Sequence, residues 1–156
     1  MDTLTLSKQI EDDVINIQRD LHLHPEIGLQ EERTIQVITS ELDKMGIPYE
    51  IIPDGGVIGV IEGKHPGKSI ALRADMDALP MKEEDQNLKQ PKVVVSKYDD
   101  AAHTCGHDGH TAMLLGAAKI LSENKDQIHG KVLLTFEQAE EIGGGIHNIL
   151  DRLVDM

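Results

Sequence analysis

The stretch that decides the fold of this chain reads Ala102-His103-Thr104-Cys105-Gly106-His107-Asp108-Gly109-His110. It contains the only cysteine of the 156-residue sequence, three of the eight histidines and one aspartate. An apolar pattern typical of a helix follows it directly, through Met113, Ala117 and Ile120. Thiol, imidazole and carboxylate groups are the donors that transition metals bind in proteins. This density therefore predicts a metal site in a loop at the start of a helix.

Helical and strand-like patterns alternate along the rest of the chain. Apolar residues recur at helical spacing over residues 6–21 and 35–45, and a last helix is expected from Ile146 onwards. Short apolar runs predict strands at residues 49–52, 57–62, 69–74 and 130–136, with a turn over residues 63–67. Residues 80–100 are polar and predict a long loop. The sequence therefore predicts an α/β fold, an α/β sandwich with a mixed sheet.

Length and charge restrict the class of protein. The chain has the length of about one domain, and its formal net charge of −13 disfavours binding to nucleic acid or to an anionic membrane surface. No apolar run approaches the ~20 residues that span a bilayer, and the N-terminus lacks the pattern of a signal peptide. A lone cysteine cannot form an internal disulfide. We therefore expect a cytoplasmic protein whose acidity serves solubility or supplies carboxylates for cations.

Two further groups of carboxylates follow predicted strands. Glu140 and Glu141 come after the strand that ends near Phe136, and Asp75 and Asp77 follow the strand that ends at Ala74. Because sites in α/β proteins collect beyond the carboxyl ends of strands, we expect both groups to lie near the cysteine-histidine segment. Alone, the glutamate pair would also suit a solvated helix start, and the aspartates would suit a turn before a proline.

The segment around Cys105 permits three interpretations. Cys105 and His107 stand two residues apart with a glycine between them, which suits a thiolate and an imidazole that share a metal. A lone cysteine is otherwise a small buried thiol, and with histidines nearby it could also serve as a nucleophile. The adjacent glutamates Glu140 and Glu141 favour the metal, because thiol chemistry does not require them. One carboxylate could bind the metal while the other handles protons.

Four motifs carry a resemblance to a known family. They are Arg19-Asp20-Leu21-His22-Leu23-His24-Pro25-Glu26, Leu72-Arg73-Ala74-Asp75-Met76-Asp77-Ala78-Leu79-Pro80, the sixteen residues from His103 to Ala118, and Phe136-Glu137-Gln138-Ala139-Glu140-Glu141. In these motifs and their order the chain resembles the amino-terminal part of the aminoacylase-like amidohydrolases. That group includes hippurate hydrolase, indole-3-acetyl-amino-acid hydrolase and N-acetyldiaminopimelate deacetylase. The histidines outside the cysteine-histidine segment, His22 among them, suggest surface or capping roles.

The resemblance implies a zinc-peptidase-like catalytic domain that holds two divalent metal ions. It places Cys105, His107 and Glu141 among the metal ligands and makes Glu140 the general base. Asp77 matches an aspartate that supports the metal site. The implied reaction is hydrolysis of the amide bond of a small N-acyl amino acid by a water that the metals activate. Zinc or manganese would suit the site best, with cobalt or nickel possible, and the oligomeric state is left open.

The chain also departs from this family. Gln138 stands where the family usually has proline, and the stretch from Asp85 to Ala102 differs from the usual loop. Family members are more than twice as long, and their remaining metal-binding histidines and lid or dimerisation domain would follow residue 156. We therefore expect residues 1–156 to be the amino-terminal part of a catalytic domain, with an open sheet edge and little activity alone. A catalytically silent metal-binding or interaction remnant is the alternative.

Overall fold

The computed structural model describes residues 2–156. Its helices are α1 (Thr3–Gln9), α2 (Glu11–Leu23), α3 (Glu32–Lys44), α4 (His107–Glu123) and α5 (Ile146–Val154). Its strands are β1 (Tyr49–Ile52), β2 (Gly56–Glu62), β3 (His65–Asp75) and β4 (His129–Glu137), and short 3₁₀ turns cover Lys125–Gln127 and Glu140–Ile142. None of the helices within residues 2–156 is both long and apolar enough to cross a membrane.

The four strands form one mixed sheet in the order β1-β2-β4-β3. Strand β2 runs antiparallel to β1 and β4, whereas β3 runs parallel to β4. A parallel pair needs a crossover connection, and α4 lies in the chain between these two strands. The predicted α/β class with a mixed sheet is confirmed.

Helices pack on both faces of this sheet because its strands alternate. Val57 and Ile61 of β2 are fully buried in the large core, together with Leu134 and Phe136 of β4 and residues of α3 and α4. Ile58 points to the other face. There it packs in a small cluster with Ile52 and with Ile149 of α5. Helices α3 and α4 on one face of the sheet and α5 on the other form the α/β sandwich.

Three local predictions were wrong in detail. The predicted helix over residues 6–21 is two helices, because the backbone of Ile10 leaves the helical region at φ −107° and ψ 7°. The helix expected to open near His110 begins at His107, and Gly106 before it adopts φ +92°, which favours glycine. The predicted turn over residues 63–67 already belongs in part to β3, which pairs His65 with His129 before a register shift.

The long loop and the exposed sheet edge agree with the sequence analysis. No helix or strand lies between residues 76 and 106, although Leu79 and Ala102 form an isolated bridge. Strand β3 is the outer strand next to β4, and most of its residues are exposed, with Ile70 at 58%. The backbone groups along this edge are therefore open to further pairing.

Replacing a leucine of the central strand should destabilise the fold. Leu134 of β4 is fully buried, so Leu134→Ala removes packed atoms and leaves a cavity. We expect the free energy of unfolding to fall by about 2–5 kcal/mol in urea titrations. Leu88→Ala is the matched control, because Leu88 is fully exposed and its loss should cost less than about 0.5 kcal/mol. Equal losses in the two variants would contradict this assignment of the core.

Candidate metal centre

The candidate site lies where β3 and β4 end side by side. Asp75, the last residue of β3, is paired with Glu137, the last residue of β4. Asp77 follows the first strand by two residues, and the turn with Glu140 and Glu141 follows the second. Parallel neighbours end at the same edge of a sheet, so the carboxylates of both motifs meet there.

His107, the first residue of α4, lies at the centre of this group. Its side chain is buried, and its Nδ1 atom lies 3.0 Å from the carbonyl oxygen of Asp77 and 3.1 Å from the Asp77 carboxylate. The other nitrogen, Nε2, faces Glu141 at 3.7 Å and Glu140 at 3.8 Å. Burial lowers the pKa of His107, but the contact with Asp77 and the surrounding carboxylates outweigh burial and raise it.

Asp77 holds two parts of the site together. It is buried, and besides its contact with His107 it accepts a hydrogen bond of 3.0 Å from the backbone N–H of Glu141. Burial would raise the pKa of Asp77, but the hydrogen bonds from His107 and Glu141 lower it overall, so the side chain is ionised at neutral pH. A histidine that donates Nδ1–H to a carboxylate presents Nε2 as a ligand, which is the usual arrangement at metal sites.

The structure brings the three predicted metal ligands together. One donor atom each from Cys105, His107 and Glu141 lies within 4.8 Å of the others. The Oε1 atom of Glu141 is buried and has no hydrogen-bond partner among the described residues, a state that a bound cation would relieve. Sulfur, nitrogen and oxygen donors in one cluster suit zinc and its neighbours in the first transition series. The residues therefore fit a metal ion.

A second set of potential donors shares His107. Asp75, His107 and His110 also have donor atoms within 4.8 Å of one another, and the Nδ1 atom of His110 lies 2.7 Å from Asp75. The guanidinium of Arg73 lies 3.4 Å from Asp75 of this set and 2.7 Å from the neighbouring Glu137. A fixed positive charge at this distance competes with a cation, so the first set is the better metal site.

Glu140 differs from Glu141 in its surroundings. Its side chain is 38% exposed, against 21% for Glu141, and it lies beside His107 and within 3.9 Å of Arg73. One carboxylate of the pair is thus turned inward to the donor cluster, and the other stands at the rim where water has access. The two side chains therefore differ in exposure, and the different tasks expected for them remain a prediction.

The sequence analysis missed a buried polar network behind the metal donors. His22 was predicted to have a surface or capping role, but it contacts Asp108 at 2.7 Å and Glu83 at 2.9 Å. Glu83 in turn accepts from Lys92 and from the backbone of Ser96 in the long loop. The high density of polar residues between His103 and His110 therefore has two causes, a donor cluster and a structural network.

Charges are balanced within this network. The hydrogen bond to Asp108 raises the pKa of His22 despite its partial burial. Burial alone would raise the pKa of Asp108, yet contacts with His22 and Gln18 lower it overall. His103 beside them is buried, both of its ring nitrogens lack a partner within residues 2–156, and burial lowers its pKa to about 4. His103 is therefore neutral at neutral pH, whereas the carboxylates of Asp108 and Glu83 favour the protonated form of His22.

This fold and donor set define a class, the metal-dependent hydrolases of α/β architecture, and comparisons with known proteins define the family. The sequence model of peptidase family M20/M25/M40 matches residues 71–156. The chain therefore belongs to this family of hydrolases.

Two relatives and one crystal structure illustrate the match. "Thermostable carboxypeptidase 2" of Saccharolobus solfataricus is 46% identical over 140 residues, which are 88% of this chain and 34% of that protein. "N-acyl-L-amino acid amidohydrolase" of Geobacillus stearothermophilus is 43% identical over 141 residues, 90% of this chain and 37% of that protein.

The crystal structure of the Bacillus subtilis YXEP protein, described as a dinuclear metal-binding peptidase of the M20 family, superposes with a TM-score of 0.85 and 38% identity. It matches 94% of this chain and 40% of that one. The chain thus spans about a third of the length of the curated relatives it matches.

The network around His22 should make stability depend on pH. Because the folded-state pKa of His22 is raised above its ordinary value of 6.5, its contribution to stability is complete below that pH and is lost as pH rises through the folded-state pKa. We expect the difference in unfolding free energy between the wild type and His22→Gln to shrink as the pH rises from about 6 through the folded-state pKa, with a slope of at most about 1.4 kcal/mol per pH unit. Urea titrations at several pH values measure it, and a constant difference would contradict the ion pair.

Proposed function

We propose that this chain is part of a metal-dependent amidohydrolase that cleaves the amide bond of small N-acyl amino acids. The convergence of Cys105, His107 and Glu141 carries the proposal, because donor atoms from two segments, residues 105–107 and the turn with Glu141, lie within 4.8 Å of one another. In this proposal residues 1–156 are the amino-terminal part of the catalytic domain. The name of the Geobacillus relative and its 43% identity support this substrate class.

The three donors would hold divalent cations, with zinc or manganese as the first candidates and cobalt or nickel as others. The description of the Bacillus subtilis relative as dinuclear supports a pair of cations. When bound, such cations lower the pKa of water and polarise the carbonyl group of an amide. Asp77 would fix the ring of His107 and the backbone of Glu141, so that both donors face the same point.

Glu140 would act as the general base and then as the general acid. Its carboxylate lies beside the donor cluster, 3.8 Å from Nε2 of His107, and it is exposed enough to meet a water and a substrate. It would accept a proton from the attacking water and return it to the nitrogen of the leaving amine. This step needs a carboxylate that does not itself bind the metal.

A thiol mechanism is disfavoured by the surroundings of Cys105. Cys105 is exposed, and the hydrogen bond with Glu141, together with the negative charges of Glu141, Asp75 and Glu140, raises the pKa of its thiol. A nucleophilic cysteine needs the opposite, a positive environment that favours the thiolate. A cation bound beside Cys105 would supply that positive charge, so the thiol is better suited to metal binding.

Substitutions at the donor cluster should separate ligands from the base. We expect Cys105→Ser, His107→Ala and Glu141→Gln each to weaken Co²⁺ binding by at least about tenfold, because each removes one of few ligands. Asp77→Asn should weaken it by about 10–100-fold through the orientation of His107. Glu140→Gln, the matched control for Glu141→Gln, should bind Co²⁺ like the wild type. Calorimetric titration measures the affinities. Wild-type affinity in the three ligand variants would sink the proposed metal centre.

Hydrolysis by residues 1–156 alone should be weak, because three protein donors leave two cations with few ligands. Release of amino acids from N-acetyl and N-benzoyl derivatives can be measured with added Zn²⁺ or Mn²⁺. Any turnover should be abolished by a chelator and by Glu140→Gln. Turnover as fast as that of the full-length Bacillus subtilis relative would overturn this expectation. Turnover that survives the chelator but not thiol alkylation would favour a thiol enzyme instead.

A further inference from the structure

We propose that Glu31 is a positioning residue that, with Gln138, fixes the turn presenting Glu140 and Glu141. Glu31 is fully buried just before α3, far along the chain from this turn. One carboxylate oxygen accepts the backbone N–H of Ala139 at 2.8 Å, and the other accepts the side-chain amide of Gln138 at 2.9 Å. The roles of Glu140 and Glu141 in this inference rest on the proposed function.

The turn needs such a restraint because its backbone is strained. Ala139, the residue before Glu140, adopts φ +55° and ψ +38°, a left-handed conformation that non-glycine residues rarely take. A residue in this region persists only where its surroundings hold it there. Relaxation of Ala139 would change the direction of the chain at the very point where both glutamates begin.

Backbone contacts also hold the turn: the carbonyl of Ala139 accepts the N–H groups of Ile142 and Gly144 within it, and two further contacts act at its ends. The backbone N–H of Gln138 donates to the carbonyl of Gly55 at 3.0 Å, and the N–H of Glu141 donates to Asp77 at 3.0 Å. Between these points, Glu31 alone provides side-chain acceptors for Ala139 and Gln138 among the described residues. Glu31 therefore holds the start of the turn at Ala139, and Asp77 holds it at Glu141.

Packing leaves the strained residue little room to move elsewhere. A Cβ atom on Gly28 would come within 3.1 Å of the Cα atom of Ala139, and one on Gly145 would come within 2.1 Å of the carbonyl oxygen of Gln138. Glycines at these positions thus let neighbouring backbone approach the turn closely. The Glu31 carboxylate completes this enclosure with two hydrogen bonds and makes no contact with the metal donors themselves.

Gln138 supplies one of the two hydrogen bonds that Glu31 accepts from the turn. The family usually has proline at this position, and proline has neither a backbone N–H nor a side-chain donor. Here the Gln138 side chain is buried and donates to Glu31, while its backbone N–H donates to Gly55. The departure that the sequence analysis noted therefore adds donors to the entry of the turn, and Glu31 accepts one of them.

The test compares four variants with the wild type in Co²⁺ titration and in amide hydrogen exchange followed by NMR. Glu31→Leu removes both acceptors at similar volume. We expect at least about tenfold weaker Co²⁺ binding than in the wild type and an altered visible absorption of the bound Co²⁺. Exchange at residues 139–141 should become at least about tenfold faster than in the wild type, whereas exchange in β2 should not change. Glu31→Gln should bind Co²⁺ within about threefold of the wild type, because the Gln138 amide can rotate to offer its oxygen.

Glu26→Leu is the matched control. The Glu26 carboxylate also accepts backbone N–H groups, those of Arg33 and Thr34, but it does not contact the turn. It should leave Co²⁺ binding and exchange at residues 139–141 unchanged. If Glu31→Leu does not fold, Gln138→Met removes one of the two hydrogen bonds at similar volume, and faster exchange at Ala139 is again expected.

Hydrogen exchange and Co²⁺ affinity in these variants decide whether Glu31 holds the turn. Wild-type exchange at residues 139–141 together with wild-type Co²⁺ affinity in Glu31→Leu, or unchanged exchange in Gln138→Met, would overturn the role of Glu31. An equal loss in Glu26→Leu would also overturn it, since the effect would then be general destabilisation. If the wild type itself binds no Co²⁺, the proposed function fails, and hydrogen exchange alone still judges whether Glu31 holds the turn.

Discussion

The parallel hydrogen-bonded pairing of β3 with β4 is the constraint on which the site depends. It aligns Asp75 with Glu137, so the segments that leave the two strands start at the same edge of the sheet. Helix α4, the connection between these strands, begins at that edge with His107. A shift of one residue in this register would turn side chains of β4 to the opposite face and separate the carboxylates from the imidazole.

Local sequence patterns predict much of this arrangement. Short apolar runs in β2 and β4, glycine before His107, and carboxylates soon after two strands are enough to predict the class of fold and the meeting of Asp77, His107 and Glu141. These features are local in the chain or follow from a general property of parallel sheets. The assignment of ligand and base among them remains a prediction, because geometry shows proximity and accessibility rather than reactivity.

Other features could not be predicted, because they depend on partners far away in the chain. His22 lacks a distinctive local pattern, and its two carboxylate partners lie 61 and 86 residues further along. The break at Ile10 interrupts an apolar pattern that is periodic on both sides. No local pattern distinguishes Glu31 from the acids beside it in the sequence, and only the fold shows that it is buried against the strained Ala139.

Arg73 has a consequence for the acidic edge of the sheet. Its guanidinium lies within 4 Å of carboxylate oxygens from Asp75, Glu137 and Glu140, so it serves as an internal counter-ion for acids that would otherwise repel one another. The polypeptide can therefore assemble this acidic edge before any cation arrives. The same positive charge repels an incoming cation. It therefore stabilises the metal-free fold and lowers the affinity for a metal ion.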